Sequence, residues 1–142
     1  MTTVTIRQIL AGRSVHRVAP AAPVADAAAL MAQAHVGAVA VLEGDRLVGI
    51  VSERDIVFRL VAPGRSPATT TVAEIMTADP VTLQIDDPVS GALAAKLGDA
   101  FRHLPVMDGR RVAGVLSYRD IPAEYVMLFE RFREMSSARA DD

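Results

Sequence analysis

Eight consecutive residues of this chain occur twice in nearly the same order. Gly49-Ile50-Val51-Ser52-Glu53-Arg54-Asp55-Ile56 returns 65 residues later as Gly114-Val115-Leu116-Ser117-Tyr118-Arg119-Asp120-Ile121. With that offset held and no gap, 12 of the 42 positions from 15 to 56 are identical. Pro23-Val24 falls on Pro88-Val89, Val41 on Val106 and Gly44 on Gly109. Further upstream, Ile9-Leu10 matches Ile75-Met76 once one residue is gapped. A duplication of this kind constrains the fold more than any single motif does. Two copies of one supersecondary unit must pack together, because a unit of roughly 60 residues buries little surface alone.

Each copy has the same pattern of elements. A short strand is expected at about 15–18 and again at 80–83. A helix follows, with Pro23 or Pro88 at its first position and Asp87 as the N-cap of the second copy. Val24, Ala27, Ala28, Met31 and Ala34 fall on one helical face, as do Val89, Ala92, Leu93 and Leu97. Two apolar strands come next, joined by Glu43-Gly44-Asp45 or Asp108-Gly109-Arg110, each with the glycine that a tight hairpin needs. A second helix closes the unit. The expected fold class is α+β, two β-α-β-β-α repeats related by pseudo-two-fold symmetry. The expected boundaries are 1–62 for the first repeat, 63–71 for a Pro/Gly/Thr-rich linker, 72–135 for the second repeat with a longer closing helix, and 136–142 for a polar tail.

Composition agrees with a packed domain. Of 142 residues, 51% are hydrophobic and 23% charged. Alanine inflates the apolar share, so the core rests on Val, Ile, Leu, Met and Phe. The net charge of −2 and scattered bases argue against a nucleic-acid surface. Cysteine is absent, which excludes disulfides, thiolate metal sites and thiol catalysis. No leader pattern opens the chain, and no apolar run reaches the roughly 18 residues of a membrane helix. The expectation is a cytoplasmic protein without membrane contact. Catalytic signatures are missing too. Lys96 is followed by Leu97, so there is no phosphate loop, and neither a dinucleotide fingerprint nor a metalloprotease motif occurs. None of His16, His35 and His103 has metal-ligand spacing, and His35 is read as a helix-end or partly buried residue.

Read from the residues alone, Ser52/Asp55 and Ser117/Asp120 are capping boxes, a serine at the N-cap and an acid three positions on. The same geometry suits an anion or a ribose, since a helix start offers amides and the carboxylate accepts hydroxyls. The paired units, together with Ile75-Met76-Thr77 and Arg102-His103-Leu104-Pro105-Val106, resemble a tandem of CBS (cystathionine-β-synthase-type) domains, or Bateman module, over about residues 5–130. The resemblance implies a non-catalytic regulatory module sensing an adenine-containing ligand in the clefts between repeats. AMP, ADP, ATP and S-adenosylmethionine are its ligand classes, with no tightly bound cofactor and no metal. It implies Asp55 as the ribose ligand with Ser52 beside it, and His16 near the base. Arg102 and His103 would reach the phosphates of the Asp55 cleft.

The second cleft, with Asp120 and Ser117, is expected to be weaker. Gly37 and Ala38 stand where Arg102 and His103 would be needed, and Pro122 disturbs the helix start. The resemblance and the apolar stripe Tyr125, Phe129 and Phe132 together imply a homodimer, with an unidentified regulated protein as partner. The alternative from another class is a ligand-free homodimeric scaffold.

Overall fold

A computed structural model describes residues 4–89 and 103–117, with the isolated positions 120, 127 and 131. Elements run α1 (Ile6–Leu10), β1 (Arg17–Val18), α2 (Val24–Ala34), β2 (Ala38–Glu43), β3 (Arg46–Ser52), α3 (Glu53–Ile56), α4 (Val72–Ile75), β4 (Thr77–Ala78), β5 (Leu83–Gln84), β6 (His103–Asp108) and β7 (Arg111–Ser117). After Ile56, α3 widens into π-helical turns over Val57–Val61, in which Ala62 N–H reaches back to the Val57 carbonyl. The fold is α+β with two sheets, ordered β1-β2-β3-β4 and β5-β6-β7.

The duplication is visible in the register. β1 pairs parallel with β2, and β5 with β6; β2–β3 and β6–β7 are antiparallel hairpins. Both hairpins slip register at the same place, between Val41 and Leu42 and between Val106 and Met107. Gly44 and Gly109, both at φ 63°, make the turns. Along β2, Val39 and Val41 enter the core beside Val24, Ala27 and Met31 of α2. Ala38 and Ala40 alternate with them and are equally buried. β2 runs against β7 of the other sheet, so this face of small side chains lets the two halves approach closely.

The short leading helices are exchanged. Ile6 and Leu10 of α1 sit in one core with Leu83, Val89, Leu104, Val106 and Leu116. Val72 and Ile75 of α4 sit in the other, with Val24, Val39, Val51 and Leu60. Each leader carries its own capping box, Thr5/Gln8 and Thr71/Glu74, and each bridges to the proline of the opposite unit, Thr5 to Pro88 and Thr71 to Pro23. The Thr71 N–H and hydroxyl, with Arg65 behind them, hold Glu74 below the usual carboxylate range. That cap is therefore intact at neutral pH and is lost as pH falls through the lowered value.

Several local expectations are corrected. The first strands are two residues long and begin at Arg17 and Leu83. Pro23 is the N-cap of α2 (φ −63°, ψ 147°) and not its first helical residue. Asp87 accepts the Gln84 N–H and so closes a turn ahead of Pro88; the helix it is expected to cap lies outside the described residues beyond Val89. The first sheet has four strands, not three, because β4 joins the edge of β3. Apart from these corrections, the expected linker 63–71 carries bonds to the first half: Val24 N–H donates to the Thr70 carbonyl and Ala25 N–H to that of Pro67. His35 does end α2, in the left-handed conformation (φ 56°).

Gly49 and Gly114 lie under the exchanged leaders, in unequal ways. A β-carbon at Gly49 would stand 2.5 Å from Met76 Sδ and 2.9 Å from the Thr77 carbonyl oxygen, whereas one at Gly114 would meet only Leu10 methyls at 3.4 Å. Gly49→Ala should therefore cost about 1–3 kcal/mol by pushing β4 off the sheet. Gly114→Ala should cost less than about 1 kcal/mol, an ordinary surface-scale change. Urea denaturation of both variants checks this, and equal losses would contradict the close packing of β4 on Gly49.

Candidate functional site

β3 ends where α3 begins, and Ser52 makes the junction. Its backbone is extended (φ −119°, ψ 166°), and its hydroxyl accepts the Asp55 N–H at 3.2 Å. Asp55 returns the bond: its Oδ2 accepts the Ser52 N–H at 3.0 Å and the Ser52 hydroxyl at 3.2 Å. The capping-box geometry is thus realised, and Ser52 is fully engaged in it. Among the described residues Asp55 is the buried charged side chain, 8% exposed.

Its second oxygen is less committed. Asp55 Oδ1 accepts the Thr77 hydroxyl at 3.3 Å and lies 3.9 Å from Arg59 Nε. Arg59 spends its Nη1 on the carbonyls of Ile75 and Met76, at 3.1 and 2.9 Å. A carboxylate oxygen has room for two donors, so Oδ1 retains capacity for a strong hydroxyl donor. Thr77 arrives on β4, from the leader of the second repeat. The acid of one repeat is therefore faced by the leader of the other.

The neighbouring residues close around the same sheet end. Glu53 N–H donates to the Gly37 carbonyl at 2.9 Å. A β-carbon on Gly37 would be 2.5 Å from Glu53 Oε1 and 3.1 Å from His103 Nε2. His103, the first residue of β6, is thereby brought from the second half to the strand–helix junction that holds Ser52 and Asp55. His16 immediately precedes β1, and its carbonyl accepts the Ala40 N–H at 3.1 Å, so that carbonyl already serves the sheet. Arg102 lies outside the described residues, as do Pro122 and the stripe Tyr125, Phe129 and Phe132.

The second junction repeats the first with different neighbours. Asp120 Oδ2 accepts the Ser117 N–H at 2.8 Å, the bond that Asp55 makes to Ser52. Its Oδ1 is taken by Arg13 Nη1 at 2.7 Å. Gly37 and Ala38 occupy the positions matching Arg102 and His103.

Sequence reading missed Thr77, Arg59, Glu53 and Arg13 as neighbours of these acids. The Asp55–Arg59 spacing of i, i+4 on a helix was a usable signal. Thr77 and Arg13 become neighbours only through the exchange of leaders, which no local pattern announces. Among the described residues no group of three or more His, Cys, Asp or Glu could hold a metal, and no helix is long and apolar enough to cross a membrane.

Comparison with known proteins agrees with this geometry. The CBS domain family matches twice, over residues 6–62 and 72–124. The CBS domain-containing protein CBSCBSPB2 of Arabidopsis thaliana is 33% identical over 116 residues, which are 81% of this chain and 22% of that relative. A CBS-domain protein from Burkholderia ambifaria is 37% identical with a TM-score of 0.76, over 82% of this chain and 90% of that one. PAE2072 from Pyrobaculum aerophilum, solved in complex with AMP, is 25% identical with a TM-score of 0.77, over 90% of this chain and 99% of that one. With two matched copies spanning most of its length, exchanged leaders and an acid bonded to the serine amide at the end of β3 and of β7, the chain belongs to the CBS domain family as a tandem pair.

Proposed function

We propose that this tandem pair is a non-catalytic regulatory module that binds an adenine-containing ligand beside Asp55, in the cleft between its repeats. The observation that carries the reading is the buried Asp55 carboxylate. One oxygen is fixed by the Ser52 cap, and the other faces a single neutral hydroxyl and a guanidinium at 3.9 Å. A vicinal diol suits such an acceptor, because both hydroxyls can donate to a charged oxygen. His103 beside Gly37 supplies a basic group for phosphate, with Arg102 next to it in sequence. The AMP complex of PAE2072 supports an adenine nucleotide, AMP, ADP or ATP, over S-adenosylmethionine.

Binding there competes with the Thr77 hydroxyl for Oδ1, so it acts on β4 and α4. A ligand shifts a conformational equilibrium only through differential affinity for its states, and this shared oxygen is where such a difference arises. The regulated protein is a separate partner or a segment joined to this module.

Self-association belongs to the same reading. The α3 extension leaves Val57, Phe58 and Val61 exposed, Phe58 at 62%, with Arg54 stacked 5.1 Å over the Phe58 ring. An apolar helical face of this kind is covered economically by a second copy. Light scattering on the intact chain should give about twice the 15.1 kDa chain mass. Phe58→Glu should return the monomer, and an unchanged dimer would remove this face from the interface.

Thermal melting and calorimetry with AMP, ATP and S-adenosylmethionine test the ligand. A nucleotide at 100 times its Kd should stabilise the fold by about 2.7 kcal/mol. Asp55→Ala should lower affinity at least about tenfold while costing only about 1 kcal/mol of stability for the lost cap. Asp120→Ala should change affinity little, and Arg102→Ala should weaken ATP more than adenosine. The reverse ranking of the two aspartate variants would end the assignment to Asp55.

A further inference from the structure

The two acids are matched in sequence and in their backbone bonds, yet they face different partners. Asp55 Oδ1 accepts the neutral Thr77 hydroxyl at 3.3 Å, and the Arg59 guanidinium stands off at 3.9 Å with its Nη1 given to the carbonyls of Ile75 and Met76. Asp120 Oδ1 meets the Arg13 guanidinium at 2.7 Å, with the Asp120 side chain only 19% exposed. Arg13 is held in place by the exchanged leader. Leu10 is locked in the second core against Gly114, the chain turns at Gly12 (φ 77°), and Arg13 N–H donates to the Leu10 carbonyl at 3.0 Å. The corresponding stretch after Met76 reads Thr77-Ala78-Asp79 and carries no cation.

We infer that Arg13 is a specificity-determining residue, an internal cation that occupies Asp120 and keeps the second cleft from taking the ligand that Asp55 takes. This rests on the ligand reading of Asp55 given above. The competition is uneven for two physical reasons. The Arg13–Asp120 contact pairs opposite charges, an attraction that an uncharged hydroxyl does not offer the same oxygen, so a diol has to displace a charged donor with a neutral one. Arg13 is also tethered, at an effective concentration on the order of millimolar that no dilution lowers. Removing the guanidinium frees Oδ1 while leaving the Ser117–Asp120 bond in place. The second cleft then presents an acid that keeps its Ser117 bond and has Oδ1 released from the guanidinium.

Calorimetry with AMP on the full chain tests this in an Asp55→Ala background, where only the second cleft can respond. Arg13→Ala/Asp55→Ala should bind AMP at least about tenfold more tightly than Asp55→Ala alone, and adding Asp120→Ala should abolish the gain. No gain, or a gain that survives Asp120→Ala, overturns the proposal. The wild-type and Asp55→Ala titrations judge the Asp55 reading separately. If they coincide, that reading fails, while the Arg13 comparison is still read on its own. Arg13→Gln/Asp55→Asn keeps side-chain volume and carries the same readout should the alanine pair not fold.

Discussion

Ile6 and Leu10 fill a core whose other walls begin at Leu83, while Val72 and Ile75 fill a core built from residues before them. Fully burying a side chain of this size is worth about 1.5–3 kcal/mol, so each leader binds its host half firmly. Neither half can then close its core with residues from its own repeat alone. The exchange also decides where chemistry can occur. β4 follows α4 and carries Thr77 to Asp55; the turn after α1 carries Arg13 to Asp120. Each acid is therefore supplied by one sequence repeat, and the closest partner of its Oδ1 by the other. Sites in this molecule are products of the pairing itself.

What could be read from the sequence follows the range of the interactions concerned. Hairpins, the buried face of α2 and the Ser52/Asp55 cap depend on residues a few positions apart, and their periodicity and spacing reveal them. The glycine turns at 44 and 109 are equally local. Pro23 illustrates a limit of that logic. Its fixed φ suits either the first helical position or the N-cap, and the choice goes to the cap because the adjacent Val24 N–H is satisfied by the Thr70 carbonyl. Asp87, read as a helix cap, also serves the Gln84 turn. The leaders were opaque because α1 and α4 are only five and four residues long. So short a helix carries little periodicity, and its partner lies across the chain.

The duplication also shows how two copies of one unit drift apart while keeping a fold. Backbone features persist: the hairpin slips, the turn glycines and the bond from each serine N–H to its aspartate. Side chains in the clefts do not. Gly37 stands opposite Arg102 in the alignment, and its lack of a β-carbon is what admits Glu53 and His103 to the first junction. An arginine grafted at Gly37 would have to displace both. The first junction is therefore open to groups from the second half in a way that depends on one missing atom.

Asp55 joins the structural and functional readings, which at first look like competitors. A carboxylate has two oxygens, and the capping box uses one. The cap orients the other: with Oδ2 held by the Ser52 amide and hydroxyl, Oδ1 can point only toward β4. Pre-orientation of this sort lowers the cost of binding, since the acceptor needs no further ordering when a ligand arrives. In the proposed function it also couples the ligand to the fold. A diol that fills both places on Oδ1 takes over from Thr77, which sits on the strand pressed against Gly49 by the exchanged leader. Loss of the Thr77 bond loosens the edge that joins the two repeats. A ligand that replaces it with bonds to both halves tightens that edge again. In the proposed function, the oxygen left free by the cap is the point at which a ligand in the cleft would act on how the repeats are held together.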